Sequence, residues 1–380
     1  MTTQQTTLLD EPTLNQPVLY MAIELSNKQW KIVFSDGSKR RRVTVKAGNM
    51  AELERAVKTS QERFGGIERR VISCYEAGRD GFWLHRWLLA HGIENRVVDA
   101  ASIEVPRRQR RVKTDRVDAD KLLALLQRAY GGERDVWSEV TVPSVEAEDD
   151  RRLHRELERL KKERTGHRNR LQGILVGQGV RLELKPDFLT RVEQVVLWDG
   201  QSLPPELKAE VQREWERLQL VEQQIAKLER TQQERVATAP VGSPLEFVQR
   251  LSQLGGIGIP SAWIFVMEFF GWRTFHNRRE VAGLAGLTGT PYASGEMQRD
   301  QGISKAGNRR VRALIVEIAW CWLKYQPQSA LSRWFQQRFG GGSKRQRRVG
   351  IVALARRLLI ALWRYLADGV IPDGAHLKTA

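Results

Sequence analysis

Residues 18–46 read VLYMAIELSNKQWKIVFSDGSKRRRVTVK. Val18–Leu25 and Trp30–Phe34 are apolar runs of strand length, rich in the residues that fit a pleated, half-buried surface. Asp36-Gly37 is a hairpin-turn dipeptide, and it leads into a third strand-like run at Arg42–Lys46. The chain therefore enters its fold through β-structure.

Beyond this stretch the apolar period changes from two to between three and four. Asn49 is an N-cap candidate ahead of Leu53, Ala56 and Val57, and Gly65-Gly66 ends that helix. Arg70–Tyr75 reads as a buried strand. Gly81–Ala90, with Phe82, Leu84, Leu88 and Leu89, reads as an amphipathic helix stopped by Gly92. Arg96–Asp99 is a short strand and Val112–Tyr130 a long helix. The order β-β-β-α-β-α-β-α predicts a mixed sheet with crossover helices, and it matches the ribonuclease-H-like fold.

The rest of the chain is α-rich. Arg151–Arg170 holds nine Lys and Arg against three Glu, with Leu153, Leu157 and Leu160 on one stripe. In Pro204–Arg235, Leu218, Val221, Ile225 and Leu228 step by three and four, a seam of barely three heptads that predicts a helical hairpin or short coiled coil. The 238–244 stretch, with Pro240, Gly242 and Pro244, reads as a linker. From Leu245 the pattern is mostly helical with glycine punctuation. It ends in Gly340-Gly341-Gly342, the basic run Lys344–Arg348 and an amphipathic helix to about Ala367. The expected organisation is a disordered tail at 1–17, an α/β domain at 18–145, a helical dimerisation region at 146–240 and an all-α C-terminal domain at 245–380.

Composition narrows the partners. The 380 residues carry 62 Lys and Arg against 45 Asp and Glu, a net charge of +17. A polyanion is the expected partner, nucleic acid first and an anionic membrane second. Two cysteines, Cys74 and Cys321, make no disulfide framework or zinc site, and the six histidines show no metal-ligand spacing. Met1–Gln16 has no apolar core of a signal peptide. The most apolar windows are broken by Glu268, Glu317 and Arg356-Arg357, short of the roughly 20 residues that a membrane span needs. The expectation is a soluble protein of a reducing, intracellular compartment.

Four carboxylates could carry chemistry. Glu24 and Glu76 close two predicted strands, and Asp115 and Asp118 share one face at the start of a helix. Acids crowded together at a strand-end junction call for a cation, and oxygen ligands suit Mg²⁺ or Mn²⁺. Taken singly, each acid is more often surface charge, and the two aspartates also suit a helix N-terminus. The neighbouring Arg107, Arg108, Arg110, Arg111, Lys113 and Arg116 favour a phosphate site.

Two further stretches stand out. Leu251–Ala262 looks like a helix-hairpin-helix turn in which Gly256 and Gly258 would let a phosphate approach the backbone. A tight loop between packed helices weighs equally. Farther on, Ser294 stands in the glycine-flanked loop TGTPYASG, ahead of the stretch GISKAGNRRVR, where Lys305, Arg309 and Arg312 could hold phosphate. By its residues alone Ser294 is an ordinary turn serine.

These strings together resemble one family. Ala22-Ile23-Glu24-Leu25-Ser26, Glu76-Ala77-Gly78 and Lys113-Thr114-Asp115-Arg116-Val117-Asp118-Ala119 resemble the RuvC-like domain of DEDD-type insertion-sequence transposases. Tyr292-Ala293-Ser294-Gly295 and Gly302–Asn308 are similar to that family's C-terminal domain. The resemblance runs from about Val18 to Arg364 in the family's order. It implies a DNA recombinase in which Glu24, Glu76, Asp115 and Asp118 hold Mg²⁺ or Mn²⁺ and Ser294 attacks the DNA to form a phosphoserine linkage. Glu24 stands where the family pattern more often has Asp.

The resemblance further implies a structured non-coding RNA, the bridge RNA, that pairs with donor and target DNA, and a homo-oligomer, dimer or tetramer. The nucleic-acid contacts expected are the Arg107–Arg116 cations, Gly256, Gly258, Lys305, Asn308, Arg309, Arg312, Lys344, Arg345, Arg347 and Arg348. Membrane binding loses its support, because these patches border polar motifs rather than an apolar face. Two other readings stay open: a metal-only RuvC-like junction nuclease with a structural Ser294, and a non-enzymatic nucleic-acid scaffold.

Overall fold

In the computed structural model, residues 17–103, 115–294 and 297–378 are described, and the side chains of 115–117 and 291–301 lie outside the description. The chain divides into two compact units, one ending at Val142 and one beginning at Pro143.

The first unit is built on a five-stranded sheet in the order β3-β2-β1-β4-β5. Its strands are β1 (Val18–Glu24), β2 (Gln29–Ser35), β3 (Arg40–Lys46), β4 (Arg70–Glu76) and β5 (Glu94–Val98). β1–β2 and β2–β3 pair antiparallel, whereas β4 lies parallel to both β1 and β5. The pleat sorts the side chains. Leu19, Met21 and Ile23 face one side, in a core with Leu53 and Val57 of α1 (Met50–Arg63) and Leu84 and Leu88 of α2 (Trp83–Ala90). Ala22, Ile72 and Cys74 face the other, under Ala119, Leu122, Leu123 and Leu126 of α3 (Asp115–Tyr130). Asn49 caps α1 as its sequence predicts, its side chain accepting from the Glu52 amide at 3.1 Å. β3 is an edge strand and carries three arginines, which guards it against pairing with another chain.

The second unit opens with the short α4 (Val145–Asp149) and the long α5 (Arg152–Val176). After α6 (Phe188–Glu193), α7 (Pro205–Ala237) returns along α5. Ion pairs fix the direction. Lys161 meets Glu229, Arg168 meets Glu222 and Arg170 meets Glu214, so the two helices run antiparallel. Val221 and Ile225 pack on Leu157 and Leu160, so the heptad seam is filled within the chain.

The rest of the unit is one apolar core. It is built by α8 (Pro244–Ser252), α9 (Ile259–Phe265), α10 (Arg278–Leu284), α11 (Arg309–Tyr325), α12 (Ala330–Phe335) and α13 (Lys344–Asp368). A π-helical turn, Val266–Phe270, extends α9. Between α10 and α11 stands a hairpin of β6 (Gly289–Ser294) and β7 (Met297–Ile303). The all-helical expectation for this region is thus corrected. Gly289, Pro291 and Gly302 are poor strand formers and mask the hairpin in sequence. No helix among the described residues is long and apolar enough to cross a membrane.

Candidate nucleic-acid processing sites

In the first unit the site begins with two strand ends. Glu24 is the last residue of β1 and Glu76 the last of β4. The strands are parallel neighbours whose register runs to Ile23 opposite Tyr75, so the two glutamates end adjacent strands, about 5 Å apart in backbone spacing. The third element is α3. Its C-terminal Tyr130 meets Tyr20 of β1 edge-on at 5.7 Å, and the Leu122 carbonyl lies 3.7 Å from Cys74 Sγ of β4. The helix therefore runs antiparallel to β1, and its N-terminal turn, with Asp115 and Asp118, points to the sheet edge where Glu24 and Glu76 end.

Asp118 is partly exposed, with Lys121 Nζ at 4.0 Å. The next acid, Asp120, faces elsewhere: its carboxylate takes three contacts of 3.0–3.1 Å from the Arg42 guanidinium. Among the described residues no three acid, histidine or cysteine side chains gather into a cation cage. The Asp115 side chain is outside that statement. The donor set is all oxygen, which suits a hard divalent cation. Arg107, Arg108, Arg110, Arg111 and Lys113 lie outside the described residues, as does the Arg116 side chain.

In the second unit Ser294 is the last residue of β6. It pairs with Met297 at the end of the ladder, with residues 295 and 296 between the strands. The hairpin is fixed at its base. The Ser304 amide donates to the Thr288 carbonyl at 2.8 Å, and Asn308 donates to the Leu284 carbonyl at 2.8 Å. Gly286 (φ +68°) and Gly307 (φ +96°) let these two segments touch. A Cβ on the first would overlap the Ala306 carbonyl, and one on the second the Leu284 carbonyl.

Asn308 is engaged at both ends of its amide. Oδ1 accepts from the Arg310 and Val311 amides and caps α11, while Nδ2 donates to the Glu268 carbonyl at 3.2 Å. Its work here is to seat the motif on the core. Glu268, in the π-turn, is only 2 % exposed. It receives two Arg155 bonds of 2.7 and 3.0 Å and lies 2.9 Å from His154 Nε2. Burial pushes its pKa up, but the hydrogen bonds with His154 and Arg155 and the Arg155 charge overcome this and hold it well below the usual carboxylate range. Arg312 donates to the Ala285 carbonyl at 3.2 Å, whereas Arg309 is exposed.

The glycine turn between α8 and α9 faces protein. Gly256 (φ +90°) lies against Cys321 and Tyr325 of α11, in the arrangement expected of a tight loop between packed helices. Gly258 is the N-cap of α9. The run Lys344–Arg348 forms the first turn of α13, behind a Ser343–Gln346 capping box. Arg345 and Arg348 line a large cleft with Lys305, and Lys344 and Arg347 are exposed outside that lining.

The chain is similar to known proteins along nearly its whole length. Over 384 residues, 95 % of both chains, it is 42 % identical to the putative transposase y4rJ of Sinorhizobium fredii. The sequence model of the transposase IS116/IS110/IS902 family matches residues 248–333, from α8 through the hairpin into α12. The chain belongs to this transposase family. A probable family 20 transposase of Pseudomonas aeruginosa is 30 % identical to it over 67 % of the chain and 73 % of that protein. The transposase of insertion sequence element IS1328 from Yersinia enterocolitica is 25 % identical over 58 % of the chain and 63 % of that protein.

Sequence reasoning about the transposase missed two features. The Glu268 cluster was hidden because its partners lie 40 and 113–114 residues away. The cleft residues Arg356 and Arg364 were masked by the apolar residues of α13, although a step of four from Arg348 reaches both along one ridge of the helix.

Proposed function

We propose that this insertion-sequence transposase cuts and rejoins DNA through a covalent serine intermediate, in a reaction that needs a divalent cation and is guided by RNA. The observation that carries the reading is the pair of glutamates ending adjacent parallel strands in a β3-β2-β1-β4-β5 sheet, with an aspartate-bearing helix start directed at the same edge. That topology supports a ribonuclease-H-like, RuvC-like domain. Glu24, Glu76, Asp115 and Asp118 would hold Mg²⁺ or Mn²⁺, which when bound offsets the negative charge of phosphate oxygens. Glu24 is one methylene longer than Asp, so its carboxylate reaches farther from the strand end.

Ser294 would be the nucleophile. Its Oγ bonds to phosphorus as its proton passes to a base or to water. The bond from phosphorus to one deoxyribose oxygen breaks, and that oxygen leaves as a hydroxyl. A hydroxyl of the incoming strand then attacks the phosphoserine and returns the serine. One phosphodiester replaces another, so no external energy source is required. The place of Ser294 at the end of a hairpin with a rigid base supports this role, because a nucleophile must be held within about 3–3.5 Å of the atom it attacks.

The test uses end-labelled DNA carrying the element's junction, the transcript of its flanking non-coding segment, and Mg²⁺. A denaturation-resistant protein–DNA adduct and strand exchange are expected, and Ser294→Ala removes both. Strand exchange by Ser294→Ala would overturn the serine step in favour of a metal-only nuclease. Asp115→Asn with Asp118→Asn abolishes exchange; unchanged exchange would remove the metal role of these acids, and absence of both adduct and exchange in the wild type would leave only a scaffold role. Exchange that survives ribonuclease treatment would refute RNA guidance.

A further inference from the structure

We propose that a basic cleft in the second unit, running from the base of the Ser294 hairpin along α13, holds an unpaired DNA strand. The inference rests on the strand-cutting role proposed above. The cleft encloses about 1340 Å³, more than the roughly 300–1,000 Å³ typical of small-ligand pockets. Eight Lys and Arg side chains line it, and no carboxylate does so among the described residues. On one side stand Arg278 and Arg279 of α10 and Lys305 beyond β7; on the other, Arg348, Arg356 and Arg364 of α13. The last three are eight residues apart, so they mark the helix axis at intervals of about 12 Å.

Three observations point to a polyanion. No described acid pairs with any of these cations, although elsewhere in the unit most ion pairs involve arginine. The first five residues of α13 carry four cations and no acid, against the helix dipole, an arrangement that a nearby anion would relieve. Lys305 is held at φ +58°, the left-handed region that non-glycine residues seldom occupy. Its amide is tied to the Gly286 carbonyl at 3.2 Å, so the hairpin's base fixes this cation at the cleft wall.

The floor decides between strand states. Val349, Val352, Ile360 and Leu331 line it, and Val349 is 61 % exposed. Trp334 adds an indole under the Arg357 guanidinium, 4.0 Å from its ring centroid, with a buried N–H that has no partner among the described residues. Duplex DNA turns its phosphates outward and would leave this apolar floor uncovered. An unpaired strand offers phosphates to the rim and base faces to the floor. Because Gly289, Gly302 and Ile303 also line the cleft, it is continuous with the hairpin whose far end carries Ser294.

The test measures binding of fluorescein-labelled dT12 to the full-length protein by anisotropy, beside a 12-base-pair duplex, oligo(U)12 and a polyglutamate peptide. Arg348→Ala/Arg356→Ala/Arg364→Ala should weaken dT12 binding at least tenfold, change duplex binding less than threefold, and make the salt slope less negative by about 2 (at about 0.7 per phosphate contact). The control Arg213→Ala/Arg230→Ala, exposed on α7 and outside the lining, should change dT12 binding less than threefold. Circular dichroism checks that each variant is folded. Arg348→Lys/Arg356→Lys/Arg364→Lys keeps the charge and should stay within threefold of wild type.

An unchanged dT12 affinity in the alanine triple, an equal loss for the duplex, or an equal loss in the control would overturn the proposal. Tighter and equally sensitive binding of oligo(U) would assign the cleft to RNA instead, and that of polyglutamate to an acidic protein. The two proposals fail separately. Loss of dT12 binding in a protein that never forms the serine adduct removes the strand-cutting role but leaves the cleft. Normal exchange with dT12 binding unchanged in the triple removes the cleft alone.

Discussion

Two stretches of this transposase look alike in sequence and differ in structure: the basic helix α5 and the basic helix α13. Most cations of α5 are matched, five of its eight Lys and Arg meeting a carboxylate. Lys161 and Arg168 meet acids of α7, Arg155 meets Glu268, and Arg170 shares the buried Glu214 with His167 and Arg217. Those lining the α13 cleft meet no described acid. Charge count therefore separates nothing, whereas pairing separates cations that hold the fold together from cations that remain free for a ligand. A carboxylate partner neutralises a guanidinium and also occupies the geometry that a phosphate would use.

The largest expected effect comes from breaking the paired side at its most buried point. Glu268→Ala leaves the Arg155 charge and His154 without their acceptor, and it takes from the Asn308 amide its 3.4 Å contact with the Glu268 carboxylate while keeping the main-chain one. Removing one partner of a buried ion pair costs about 3–5 kcal/mol, and urea titration of the full chain should register a loss of that order. A loss below about 1 kcal/mol would mean that the cluster is not what seats the α11 motif. Because Asn308 also caps α11, the same variant should loosen amide-exchange protection at the start of that helix more than at its end.

Acid should act through the same group. The folded-state pKa of Glu268 lies well below its unfolded value. Its contribution is therefore fully present above the unfolded pKa, about 4.3, and is lost as pH falls from there toward the folded value. Glu214 is lowered too: burial raises its pKa, and the hydrogen bonds with His167, Arg217 and Arg170 outweigh that. The transposase should lose thermal stability steeply below about pH 4.3, and Glu268→Gln should flatten that slope. Equal slopes in both proteins would assign acid sensitivity to other carboxylates.

Legibility in the sequence followed range. β1 to β5, the Asn49 cap and the helices between them are written in local patterns of alternation, capping and glycine stops, and the structure reproduces them. The seam of Leu218, Val221 and Ile225 was equally readable as a helix face. Which surface it meets was not, because Leu157 and Leu160 lie about sixty residues away and nothing local distinguishes a partner in the same chain from one in another copy. The β6–β7 hairpin was hidden by glycines and a proline that mark loops elsewhere. At the candidate sites, residue type identified Glu24, Glu76 and Lys305 as worth notice. It did not show that the Asn308 amide caps α11 and reaches the main chain of the buried Glu268.

The smallest effect tests the comparison from its other side. Lys161 and Arg168 sit in exposed pairs of 2.7 and 3.3 Å with Glu229 and Glu222. Solvent screens such pairs, so Lys161→Ala and Arg168→Ala should each cost about 0.2–1 kcal/mol by chemical denaturation. Neither should change dT12 affinity by more than twofold, although each removes a full charge from a strongly basic stretch of the chain. If either weakened that binding as much as the triple change in the cleft, net charge alone would account for nucleic-acid affinity. Pairing would then have no bearing on which cations a strand can reach. A flat response from both, beside a tenfold loss in the cleft, would show that an acid partner withdraws an arginine from the nucleic-acid surface even where the side chain remains open to water.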